Sequence, residues 1–242
     1  MENPYKKDLI NLFESTNYYY HISYRIDNLL KKESKRLLEQ KSEFYTSNAL
    51  VIADWTGPTE DGLELPFHTN IFRTTNKDNY LEEMEKMKSR ENLLNFAQSF
   101  EVFQKFLKNC IIKKNPGIKR SDLKYNDKIL INLKEEGAAT FDKFSFQNNN
   151  NFNFEKLFEM LVVLRHAITH SNSVVKKNEI IKDVYTEKLF KLLMPSAEFS
   201  KNQIILNMTL NEFRSNMKII NEFAYQIYKI YSIEEGFEYK WE

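Results

Sequence analysis

Apolar residues recur along most of the chain at three- and four-residue steps, the spacing of amphipathic helices. The first stripe covers 5–45, where Leu9, Leu12, Phe13, Ile22, Ile26, Leu29, Leu30, Leu37 and Leu38 share the helix with a charged face holding Lys31, Lys32, Glu33, Lys35 and Arg36. The second covers 78–114. Asp78 is placed as its N-cap, and Leu93, Phe96, Ala97, Phe100, Phe103, Phe106, Leu107 and Cys110 form its apolar stripe. Glu101 sits among these aromatics, and Asn115-Pro116-Gly117 ends the helix. A shorter helix is predicted over 121–136 with Ser121 as cap, and another over 183–193, stopped by Pro195. The third long helix spans 153–171. The fourth spans 209–232, where Thr209 and Glu212 have the three-residue spacing of a capping box.

Three stretches break this pattern. In 46–77, "ALVIADW" has strand propensity, and "TGPTEDGLELP" reads as turns. This region is expected to be an irregular or β insertion with one short hairpin. Its acids Asp54, Glu60 and Asp61 lack the spacing of a calcium loop and read as a solvated loop. "QNNNNFNF" at 147–154 is a polar linker, and "NQIILNM" at 202–208 reads as a strand or extended segment. The tyrosine cluster Tyr18–Tyr20 with Tyr24 lies on the first helix. It is expected to pack, with base stacking as the alternative.

The predicted fold class is therefore mainly α, a helical bundle with a long N-terminal helix and a small irregular or β insertion. The expected organisation is an N-terminal helix plus extension over 1–77, packed on a helical domain over 78–242. Five glycines and five prolines in 242 residues disfavour sandwiches, barrels and glycine-rich nucleotide folds. A net charge of +1 excludes a protein that coats nucleic acid by charge alone, so any polyanion site must be local. The single cysteine, Cys110, has no internal disulfide partner, which fits a reducing cytoplasm. No apolar leader or membrane-length run occurs in the sequence, so no membrane role is expected.

Chemistry concentrates in "LVVLRHAITHSNSVV", Leu161 to Val175. Two of the four histidines, His166 and His170, stand here one helical turn apart, beside Arg165. Arg165 to His170 spans roughly 7.5 Å of helical rise, within reach of an arginine side chain. Ser171-Asn172-Ser173 are poor helix formers, which puts His170 in the last turn, where the dipole favours a cation. Three interpretations compete. The residues can simply decorate a helix C-terminus. Histidines at i and i+4 can hold zinc, but no HExxH occurs and no further cysteine or histidine lies nearby in sequence. Or imidazole and guanidinium can act together on a phosphodiester, one moving protons and the other gripping phosphoryl oxygens.

The third pattern has a known counterpart. "RHAITH" resembles the signature of the HEPN superfamily (higher eukaryotes and prokaryotes nucleotide-binding domains), in which an arginine, a polar residue and a later histidine lie on one helix. With seven arginines and four histidines in the chain, an Arg-x4-His match is expected roughly 0.1 times by chance. The resemblance covers about 80–232 and leaves the first 77 residues outside. It implies a helical bundle that dimerises, bringing two Arg/His sets into one composite cleft. It also implies a metal-independent endoribonuclease without cofactor, of the kind that serves as a toxin or phage-defence effector, with RNA as substrate and an antitoxin or regulatory protein as a further partner. On this resemblance Arg165 and His170 are catalytic. His166, Thr169, Asn172 and Glu101 are supporting residues. The alternative is a non-catalytic helical module that binds nucleic acid, a nucleotide or a protein partner.

Overall fold

The computed structural model describes residues 2–39, 50–53, 62, 73–75, 77–135 and 152–240. The helices are α1 (Lys6–Leu38), α2 (Lys77–Lys114), α3 (Asn126–Glu135), α4 (Phe154–His170), α5 (Lys177–Ile180), α6 (Val184–Leu193) and α7 (Leu210–Glu234), with a 3-10 turn at Arg120–Leu123. The strands are β1 (Leu50–Ala53), β2 (Arg73–Thr75), β3 (Val174–Lys176), β4 (Glu198–Phe199) and β5 (Gln203–Ile205). Contacts divide the chain into two compact units. One holds residues 1–24 and 89–242, and the other holds 25–88. The division falls inside α1 and α2, each of which runs through both units.

The larger unit is built on aromatic packing. Phe96, Phe100, Phe103 and Phe106 of α2 are buried, as the period of the stripe requires. Phe100 meets Phe158 of α4 at 5.6 Å between ring centroids, and Phe154 meets Phe223 of α7 at 5.3 Å. Cys110 is fully buried in the same cluster, and burial pushes its thiol well above the ordinary range. Asn216 of α7 donates to the Leu193 carbonyl at 2.8 Å, closing the last turn of α6.

Helix ends follow local chemistry. Thr209 and Glu212 form the expected reciprocal cap of α7. Asn153 caps α4 by accepting from the Lys156 N–H at 2.9 Å. Asp183 and Thr186 form a second capping box at α6, and Pro195 follows one residue after its C-cap, Met194. Two expected caps fall elsewhere. α2 begins at Lys77, so Asp78 lies in the first turn, where its carboxylate still complements the dipole. Ser121 lies within the 3-10 turn, and α3 starts five residues later, because Leu123 is buried and anchors that turn separately.

Between α4 and α7, β3, β5 and β4 form an antiparallel three-stranded sheet in that order. Val175 pairs with Ile204, and both are buried. Of these strands only β5 falls within the stretch expected to be a strand or extended, 202–208. β3 and β4 stand outside any apolar run of the kind that surrounds β5 and leave no alternating pattern of their own.

In the smaller unit, β1 and β2 pair antiparallel, Leu50 opposite Thr75 and Val51 opposite Thr74. Asp27 of α1 meets Lys31 at 2.5 Å and lies 3.9 Å from Lys88 of α2, which also pairs with Glu85 at 2.6 Å. The Tyr80 hydroxyl donates to Glu33 at 3.2 Å. α1 is shorter than expected, ending at Leu38, and 40–45 lie outside the described residues. So do Asp54, Glu60 and Asp61, and the linker positions 147–151. Leu29 and Leu38 are exposed. Consecutive residues stand about 100° apart on a helix, so Leu29 and Leu30 cannot share one buried face. The tyrosine cluster divides similarly. Tyr19 and Tyr20 pack against the core of the larger unit, whereas Tyr18 and Tyr24 are exposed.

Candidate functional site

The stretch that carries Arg165, His166 and His170 ends α4 within the larger unit. Leu161, Leu164, Ala167 and Ile168 are buried, and their i, i+3, i+4 spacing turns Arg165, His166 and His170 toward the surface. Arg165 is half-buried, and both histidines are exposed. The helix stops at once after His170. The N–H groups of Ser171 and Ser173 both donate to the Ala167 carbonyl, at 3.1 and 2.9 Å. Asn172 and Ser173 adopt left-handed backbone angles, φ 50° and 62°, the conformation that closes helix C-termini. Asn tolerates that region better than most residues. The Asn172 side chain makes no hydrogen bond among the described residues, so its visible contribution is to the backbone turn.

Arg90 secures this end from α2. Its Nη1 donates to the Ile168 carbonyl at 3.0 Å and to the buried Ser173 Oγ at 2.7 Å. A cation at these carbonyls also complements the helix dipole. The sequence pattern did not single out Arg90. It lies 75 positions before Arg165, and only the packing of α2 against α4 brings it there.

Arg165 turns to α2 as well. Its Nη2 and Nε donate to Glu101 Oε1 at 2.6 and 3.1 Å. The pair is about a third to two-fifths exposed, so it fixes orientation more than it stabilises the fold. Thr169 donates back to its own helix, with Oγ1 2.9 Å from the Arg165 carbonyl. The imidazoles of His166 and His170 lie side by side, 5.0 Å between centroids.

Arg165, Glu101 and His166 open onto a cleft of about 880 Å³. His170 is not among its described lining residues. It adjoins the cleft through its neighbour His166. One wall is a polar stripe on α2: Glu101, Gln104, Lys105 and Lys108 recur at i, i+3, i+4 and i+7, opposite the buried phenylalanines. Val162, Val163 and Phe100 contribute an apolar floor. The 3-10 turn supplies Arg120 and Lys124, and Gln104 hydrogen-bonds Asn126 at the start of α3. Five fixed cations thus face two carboxylates, Glu101 and Glu179. The Lys108 ammonium is pushed down by its partial burial and by Arg120 beside it.

The arrangement suits a polyanion. Among the described residues no group of three or more His, Cys, Asp or Glu side chains could hold a metal ion, and no helix is long and apolar enough to cross a membrane. No protein-family model matches the chain, and no curated protein or solved structure matches it. The chemistry of the site therefore rests on its own residues. The stripe at 101–108 is present in the sequence as i, i+3, i+4, i+7 spacing, beside the stronger apolar stripe of the same helix. Lys105 and Lys108 lie on that stripe, whereas Arg120 and Lys124 reach the cleft only through the packing of the 3-10 turn and the residue after it.

Proposed function

We propose that the chain is a metal-independent endoribonuclease of HEPN type. The observation that carries this reading is the end of α4. There Arg165, oriented by Glu101, stands beside the adjacent pair His166 and His170 at the edge of a cationic cleft. Cleavage in this scheme begins with attack of a ribose 2′-OH on the adjacent phosphate. His170 accepts or donates the proton, at the 2′-oxygen or the departing 5′-oxygen. Arg165 carries the charge that develops on the phosphoryl oxygens. His166 lines the cleft and contacts phosphate. One copy provides one such set. A homodimer pairing two α4 ends would provide two, giving a base and an acid from separate copies and doubling the local positive charge. In that reading the protein serves as a toxin or phage-defence effector, held in check by a partner.

The test is cleavage of single-stranded RNA by purified protein in EDTA. Fragments should carry 2′,3′-cyclic phosphate ends, and His170→Ala should abolish cutting while the protein stays folded. Activity that disappears with chelator rejects the metal-free mechanism.

One observation favours a second reading, a non-catalytic helical module. Arg165 already has an internal carboxylate partner, as a structural arginine would. In that case Arg165→Ala and His170→Ala would leave the cellular effect of the protein intact.

A further inference from the structure

The cleft has two electrostatically different ends. At one end Glu101 pairs with Arg165, and Glu179 at the rim pairs with Lys176 at 3.7 Å. Both lining carboxylates are thereby occupied. At the other end Lys105, Lys108, Arg120 and Lys124 make no ion pair among the described residues. Their polar contacts are weak: Arg120 donates to Asn109 at 3.3 Å, and Lys124 lies 5.7 Å from the Tyr125 ring centroid. Other cations nearby are matched. Lys113 on the same helix pairs with Asp8 at 2.6 Å, Lys114 pairs with Glu234, and Lys156 on α4 pairs with Asp183 at 2.6 Å. Four unmatched cations around one concavity repel each other, and a bound anion removes that repulsion.

We infer that Lys105, Lys108, Arg120 and Lys124 form a phosphate subsite that holds single-stranded RNA by a phosphate flanking the one beside Arg165. This rests on the ribonuclease reading and names the form of its substrate. Glu101 and Lys108 are seven residues apart on α2, roughly 10 Å along the axis, so the two ends receive different phosphates of one strand. A volume of about 880 Å³ lies in the range of small-ligand pockets, room for a short stretch of one strand. Val162 and Val163 line the same cleft and add an apolar patch to it. A cationic groove that tracks the backbone is the usual way to hold an unpaired strand without reading its sequence. The subsite therefore contributes affinity and register, and carries little base preference.

The experiment measures binding of a short fluorescent RNA with 2′-O-methyl groups throughout, which has no free 2′-OH to attack, across a range of salt concentrations. Lys105→Ala, Lys108→Ala and Arg120→Ala should each weaken binding to all sequences alike. Because the subsite holds one phosphate, the dependence of log affinity on log salt should flatten in each by part of about 0.7, and in the Lys105→Ala/Arg120→Ala double variant by up to about 0.7. Lys113→Ala, whose ammonium is paired outside the cleft, should leave the slope unchanged. Lys105 and Arg120 are exposed, so their variants should retain the wild-type thermal melt and keep the test readable if Lys108→Ala does not. Slopes equal to wild type in the folded variants overturn the inference, as does failure of the wild-type protein to bind the strand. Displacement of the strand by pyrophosphate as readily as by unlabelled strand also overturns it, in favour of a free polyphosphate site. Cleavage of unmodified RNA is scored separately. Flattened slopes without cleavage reject the nuclease reading and keep the subsite, whereas cleavage with unchanged slopes does the reverse.

Discussion

Arg165 donates from both Nη2 and Nε to a single oxygen of Glu101, at 2.6 and 3.1 Å. The two residues come from different helices, and their contact holds the guanidinium at the wall of the cleft. Glu101→Gln keeps the shape and weakens the grip. Because the pair is partly solvated, stability should change by less than about 1 kcal/mol. Strand binding should tighten, since a negative charge leaves the cleft, while turnover falls on the order of 10-fold as the guanidinium loses its fixed direction. Parallel binding and single-turnover measurements check this. Equal loss of both would mean that Glu101 matters only for folding.

Arg90 predicts a separable defect. Arg90→Ala removes two charge-assisted hydrogen bonds at the end of α4 and leaves the buried Ser173 hydroxyl without that donor. A loss of about 2 kcal/mol in urea unfolding is expected. Amide exchange at 167–174 should rise more than elsewhere. Uniform acceleration would contradict a local role.

The left-handed turn after His170 makes a third prediction. Asn172→Val puts a β-branched residue at φ 50° and should cost about 1–2 kcal/mol. Asn172→Gly should be neutral or slightly stabilising. If cleavage survives Asn172→Gly, Asn172 acts through the backbone. If it is lost while the melt is unchanged, the side chain itself takes part.

The fourth concerns acid. Asp183 is hydrogen-bonded first by Lys156 and then by the Thr186 N–H, and its carboxyl is held down from 3.8 to about 2. A lowered folded pKa stabilises the ionised state. The contribution is complete above the unfolded value and is lost as pH falls through about 2. Asp183→Ala should therefore lower the urea midpoint at pH 5, and the gap from wild type should close between about pH 4 and pH 2. A gap that persists at the acid end would show that the cap, rather than the charge, carries the effect.

Much of the helical framework was legible because burial imposes the 3.6-residue period. The stripe of Phe96, Phe100 and Phe103 marked α2, and Thr209 with Glu212 marked the start of α7. The three-stranded sheet was largely illegible, since β3 and β4 are fixed by their pairing with β5 rather than by an internal pattern. At the site, adjacency within α4 made Arg165, His166 and His170 readable together. Glu101 was visible only as a charge among aromatics. Arg90 and Arg120 could not be placed, because their positions depend on contacts between elements distant in sequence.

α2 carries Arg90, Glu101, Lys105 and Lys108 on one uninterrupted helix. Their angular relationship is thus set by residue count alone. Inserting or deleting one residue between Arg90 and Glu101 would rotate the downstream stripe by about 100° relative to Arg90, carrying lysines toward the phenylalanine core. Over evolutionary time this segment should vary by substitution and hold its length, and alignment gaps should collect in the connectors around it. Natural variants that break this length would be expected to lose the clamp on α4 or the cationic wall, since one helix cannot keep both in register.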